Sequence, residues 1–170
     1  MKSSRHVAAL IAVLAIGIGV FLSFGNPWPT PTPAPQVGYT LLDGTQGDTA
    51  GLRGKVVLMN FWATSCTICV AEMPKLAATH EKFRARGLET IAVAMQYDPP
   101  VAVVRYAAAR RLPFGVAIDN TGAIAKGFGE IDGTPTTVLI NRRGEIVRRY
   151  VGEPDFAALE RTLDRLLAEG

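Results

Sequence analysis

Cys66 and Cys69 are the only cysteines in the 170 residues, and they stand three positions apart. A thiolate attacks a disulfide sulfur to give a mixed disulfide, and a second thiol one helical turn away is placed to resolve it. The run Asn60-Phe61-Trp62-Ala63-Thr64-Ser65-Cys66-Thr67-Ile68-Cys69 sets this pair at the end of an apolar strand and the start of a helix. A helix N-terminus favours negative charge, so the Cys66 thiol is expected below its free value of about 8.5. Two cysteines this close cannot staple a fold as several spread pairs do. Structural zinc takes four ligands. One CxxC with only His6 and His80 elsewhere does not meet that demand within one chain, so no metal and no cofactor is expected.

The elements that must hold the pair are legible from pattern. Residues 39–42 read as an edge strand entering the Asp43-Gly44 turn. Residues 55–61 carry Val56, Val57, Leu58 and Phe61, an almost continuous apolar run of the kind a central strand shows. A helix is predicted over about 66–86 with a kink at Pro74, then a buried strand over 88–95. Asp98 offers a helix N-cap and Pro99 a first-turn proline for a helix reaching about 111. A strand over 115–118, a short helix over 121–128 and a hairpin pairing 136–140 with 145–151 come next. The last helix, opening at Pro154, repeats Phe156, Leu159, Leu163, Leu166 and Leu167 at helical spacing. This order predicts an α/β domain, a mixed central sheet with helices on both faces.

Ahead of the domain, Lys2 and Arg5 precede eighteen uncharged residues, 7–24. As a helix these would measure about 27 Å, enough for a bilayer core, with the positive end in the cytoplasm. A single uncleaved transmembrane anchor (1–25) is the expected reading, and a cleaved signal peptide the alternative. Either route exports the rest of the chain. Pro27, Pro29, Pro31, Pro33 and Pro35 alternate through 26–36, a semi-rigid extended spacer leading to a domain at 37–170. The net charge of +3 owes two positives to Lys2 and Arg5, and no basic patch interleaved with aromatics marks a nucleic-acid binder.

The chain resembles the thioredoxin superfamily, and within it the membrane-anchored TlpA/ResA-like branch that includes the cytochrome c maturation thioredoxins. The likeness lies in the ten residues Gly54 to Ala63, in Glu72-Met73-Pro74, and in Gly133-Thr134-Pro135-Thr136-Thr137. It implies a thioredoxin fold and makes Cys66 the nucleophile, Cys69 the resolving thiol and Pro135 a cis-proline facing them. The Thr134 backbone is then free to pair with a substrate peptide, and Glu72 tunes the pair. Trp62 reads as a packing aromatic partly exposed beside the site, where with Thr134 and Pro135 it would touch substrate. The bland alternative for Glu72 is a solvated helix glutamate. The resemblance further implies cysteine-containing exported substrates and a transmembrane thiol-transfer reductant of DsbD or CcdA type, at a bacterial inner membrane with the domain on the periplasmic side. Three departures from the family stand out: Ser65 replaces a tryptophan or similar bulky residue and alters the substrate-facing surface, Asn60 stands where thioredoxin has a buried acid and removes that proton acceptor, and Thr67-Ile68 lacks the usual proline inside the motif that sets redox potential.

The function expected is thiol-disulfide oxidoreductase, a reductant in cytochrome c or metal-centre maturation. Two alternatives stand beside it. A thiol peroxidase would use Thr64 to hold its peroxidatic cysteine, with no arginine partner evident. A copper-handling chaperone would use Cys66, Cys69 and Met95 as soft ligands. His80 and the arginine pairs Arg110-Arg111 and Arg142-Arg143 read as solvated surface.

Overall fold

The computed structural model describes residues 31–169. The expected membrane anchor and the first part of the Pro-rich spacer lie outside them. Among the described residues no helix is long and apolar enough to cross a membrane.

Strand β4 (Val56–Trp62) is buried at every position and forms the spine of the sheet. Its side chains alternate between two cores, as the period of two requires. Val56, Leu58 and Trp62 pack into one cluster, Val57, Met59 and Phe61 into the other. Parallel to β4 run β5 (Leu88–Ala94) and then β6 (Gly115–Ile118). On its other side lie β7 (Thr136–Ile140) and β8 (Glu145–Val151), each antiparallel to its neighbour. The expected mixed sheet is thus present, in the order β1-β8-β7-β4-β5-β6 with β1 (Thr32–Pro33) at the edge.

Helices α1 (Thr67–Phe83), α2 (Pro100–Arg110) and α4 (Phe156–Ala168) feed the first core, and α3 (Ala123–Gly127) the second. Helix α4 buries Leu159, Leu163 and Leu167, a stripe repeating every four residues, and is capped by the Asp155 carboxylate accepting from the Ala158 N–H at 3.1 Å. Helix α1 continues through Pro74, as expected, and ends in a 3₁₀ turn before Gly87, whose φ of 102° closes the connection to β5.

Two short strands, at 32–33 and 46–48, had no signal in the pattern. Strand β1 (Thr32–Pro33) pairs with Ile146 and Glu145 of β8, so the second half of the Pro-rich run lies along the domain. An edge position tolerates this proline because its missing N–H would face solvent. The Thr49 hydroxyl holds the run from the other end, donating to the Pro35 carbonyl at 2.6 Å and accepting from the Val37 N–H at 3.0 Å. Strands β2 (Gly38–Thr40) and β3 (Gln46–Asp48) form a small separate hairpin.

Several surface expectations are corrected. His80 is buried, edge-on to the Phe114 ring at 5.6 Å, because α1 turns that position under the 113–114 segment. Arg142 is no solvated turn residue either. Its guanidinium donates to the carbonyls of Gly54, Arg86 and Leu167, tying three chain segments together. Arg143 does reach solvent, paired with Glu145.

Candidate active site

The chain leaves β4 at Trp62, turns through Ala63 to Cys66, and enters α1. Cys66 is the N-cap: its Sγ accepts from the Cys69 N–H at 3.2 Å, meeting one of the donors a helix start leaves unpaired. Cys66 and Cys69 are joined as a disulfide. Their settings differ. Cys66 is partly open to solvent while Cys69 is fully buried against the core. Only the first sulfur can be approached from outside.

Facing Cys66 is the loop before β7. The Thr134–Pro135 peptide is cis, and the Thr134 carbonyl oxygen lies 3.6 Å from Cys66 Sγ. Tyr97, from the loop after β5, closes the far side, its hydroxyl 3.2 Å from Thr134 Oγ1 and its ring more than half exposed. Sequence reasoning misses Tyr97, because an aromatic ahead of Asp98-Pro99 signals only a loop.

Glu72 lies behind the pair, one turn beyond Cys69 on α1. It is 1 % exposed, which rules out a solvated glutamate. Asn60 Nδ2 donates to Glu72 Oε1 at 2.9 Å and to Thr137 Oγ1 at 3.0 Å, joining α1, β4 and β7 in one polar contact inside the core. Burial pushes the Glu72 carboxyl up to about 7, with the Asn60 hydrogen bond opposing. Among the described residues its Oε2 has no hydrogen-bond partner, in keeping with a carboxyl that binds a proton more readily than an exposed one.

Trp62 corrects the expectation of a substrate contact. Its side chain is 0 % exposed and packs on the Tyr106 ring at 5.2 Å, since it is the last inward residue of a strand buried on both faces. Two features set aside the competing chemistries. The Thr64 hydroxyl, which a peroxidatic cysteine would need, donates to Asp98 Oδ1 at 2.5 Å. Met95, the third sulfur a copper site would use, packs in the core cluster on the opposite sheet face from Cys69.

A thioredoxin fold with a CxxC disulfide capping a helix and a cis-proline loop opposite defines a thiol-disulfide oxidoreductase. Comparison with known proteins agrees. The Redoxin family model matches residues 29–164, and the chain belongs to that family. It is 34 % identical over 173 residues to the thiol-disulfide oxidoreductase ResA of Bacillus thuringiensis subsp. konkukian, covering 98 % of this chain and 99 % of the relative. Among solved structures, a thioredoxin-like protein from Neisseria meningitidis is 38 % identical with a TM-score of 0.76, over 83 % of this chain and 93 % of that one. A thiol:disulfide interchange protein of the thioredoxin family from Chlorobium tepidum is 27 % identical with a TM-score of 0.74, over 82 % and 98 %.

Proposed function

We propose that the protein works as a reductant of exported proteins, donating electrons from the Cys66–Cys69 dithiol to client disulfides in cytochrome c or metal-centre maturation. The observation that carries this reading is the asymmetry of the pair: an accessible sulfur at the helix end, a buried one a turn behind it, and a buried acid beyond both whose carboxyl is raised to about 7. The Cys66 thiolate attacks a client disulfide, forming a Cys66–client bond while the second client sulfur leaves and takes a proton. Cys69 then loses its proton and attacks Cys66 Sγ, closing the internal disulfide and releasing the remaining client thiol. Two electrons and two protons pass to the client. Glu72, one turn from Cys69, is the group placed to take or return the Cys69 proton, because its carboxyl titrates near neutrality. Thr134, beside Pro135, supplies main chain to an extended client segment, as in strand addition.

The spent disulfide needs a donor, and a transmembrane thiol-transfer protein of DsbD or CcdA type supplies electrons across a membrane. The uncharged run at 7–24 behind Lys2 and Arg5 supports a single-pass inner-membrane anchor with the domain outside. The test is trapping. Cys69→Ser should accumulate mixed disulfides with exported clients, and Cys66→Ser should capture none. Equal capture by both variants would overturn the assignment.

A further inference from the structure

We propose that Asp98 is a positioning residue for Cys66, clamping the turn that delivers the sulfur to the start of α1, an inference that rests on the reading of the pair given above. Asp98 is 2 % exposed. Among the described residues it takes part in no ion pair. A buried carboxylate without a cation is costly and persists only where donors compensate it. Both donors come from one residue: the Thr64 N–H to Oδ2 at 2.6 Å and the Thr64 hydroxyl to Oδ1 at 2.5 Å.

Thr64 sits inside the turn closed by the Cys66 N–H on the Ala63 carbonyl at 3.1 Å. Two bonds to that residue therefore fix both its backbone and its side chain, two positions ahead of the nucleophile. Downstream, Cys66 Sγ accepts from the Cys69 N–H and the Cys66 carbonyl from the Val70 N–H, so the clamped turn feeds straight into the helix end. Asp98 itself is stiffly held, its N–H on the Met95 carbonyl at 2.9 Å and Pro99 and Pro100 next in the chain. The carboxylate gives up a local role to do this. Pattern predicts Asp98 as the N-cap of α2, yet that position falls to Pro99, which makes no side-chain cap bond. The adjoining Tyr97 reaches Thr134 on the opposite loop, so one dipeptide braces both walls around Cys66.

The experiment measures iodoacetamide alkylation of Cys66 in the reduced full-length chain carrying Cys69→Ser, which leaves one thiol. With the turn loosened, the sulfur loses its alignment with the helix N–H groups and is less ionised at pH 7. Thr64→Val keeps the carboxylate and the backbone donor but removes one bond, and should slow alkylation about fivefold, the factor matching one hydrogen bond of about 1 kcal/mol. Asp98→Asn, which loses an acceptor, should slow it at least as much. Thr64→Ser restores the donor and should return the rate to within about twofold of the parent. Should Asp98→Asn fail to fold, the valine–serine comparison decides alone. A wild-type rate in Thr64→Val, failure of serine to rescue, or faster reaction in Asp98→Asn overturns the proposal, the last by showing that charge rather than position governs the sulfur. Alkylation needs no client. Loss of disulfide reduction by the wild-type protein would instead strike the functional reading and leave this result standing.

Discussion

At the scale of single residues the site depends on where protons rest. Glu72 titrates near 7 in the folded chain, raised by burial from an ordinary 4.5. Between those values the folded state binds a proton that the unfolded state has released, so this group lowers stability as pH rises through that window. Glu72→Gln keeps an oxygen for Asn60 and removes the ionisation. It should leave stability nearly unchanged at pH 4 and raise it by about 3 kcal/mol at pH 8, the free-energy equivalent of the shift, as read from urea unfolding at both values. An equal effect at the two pH values would mean that the carboxyl ionises freely. Reduced Cys66 should in turn alkylate faster than Cys69, because it alone is open and at the helix end, and mass spectrometry of labelled peptides resolves the two rates. Cys66 and Cys69 are legible in the sequence from residue type and spacing, and Pro135 through the resemblance carried by Gly133 to Thr137. The settings of Trp62, His80 and Asp98 are not. Each owes its place to a partner far along the chain (Tyr106, Phe114 and Thr64), and no local pattern encodes such a meeting.

At the scale of elements, the strands that bury both faces are plain from runs of apolar residues, and the hairpin of β7 and β8 from the Asn141-Arg142-Arg143-Gly144 turn between them. So is α4, whose leucines repeat at one spacing. The pieces that pattern misses are shorter than any period: β1 with two residues and β3 with three. Pairing of β1 depends on the β8 edge being free beside it, a tertiary fact. The packing of α4 against the sheet gives a direct test of which parts of the fold serve stability alone. Leu163 is fully buried in the core shared by α1 and β4. Leu163→Ala should cost about 3 kcal/mol, the usual loss for a buried leucine. It should lower the urea midpoint with an unchanged slope and leave the Cys66–Cys69 potential where it was. A shifted potential would mean that α4 packing reaches the redox pair.

At the scale of the whole molecule, direction of electron flow joins the site to its compartment. Strong oxidants of this fold stabilise their reduced form, and so give the disulfide away readily. Beside Cys66 the helix N–H groups supply the stabilisation, and no charge inside the motif adds to it. Thr67 and Ile68 inside the motif carry no charge, and a second negative charge in the core is opposed by the buried Glu72 carboxyl once it ionises. A thiolate stabilised only by the helix end, less than in those oxidants, leaves the disulfide as the preferred state and the dithiol as a donor. Equilibration with defined dithiothreitol ratios should therefore give a potential below about −180 mV, toward the value of about −270 mV held by thioredoxin. A value near −120 mV would reverse the direction and remove the need for a transmembrane electron supply. The same reading requires the domain to lie outside the cytoplasm. A phosphatase fused after Gly170 should be active there and fractionate with membranes, and an inactive fusion in the soluble cytoplasm would falsify the anchored topology.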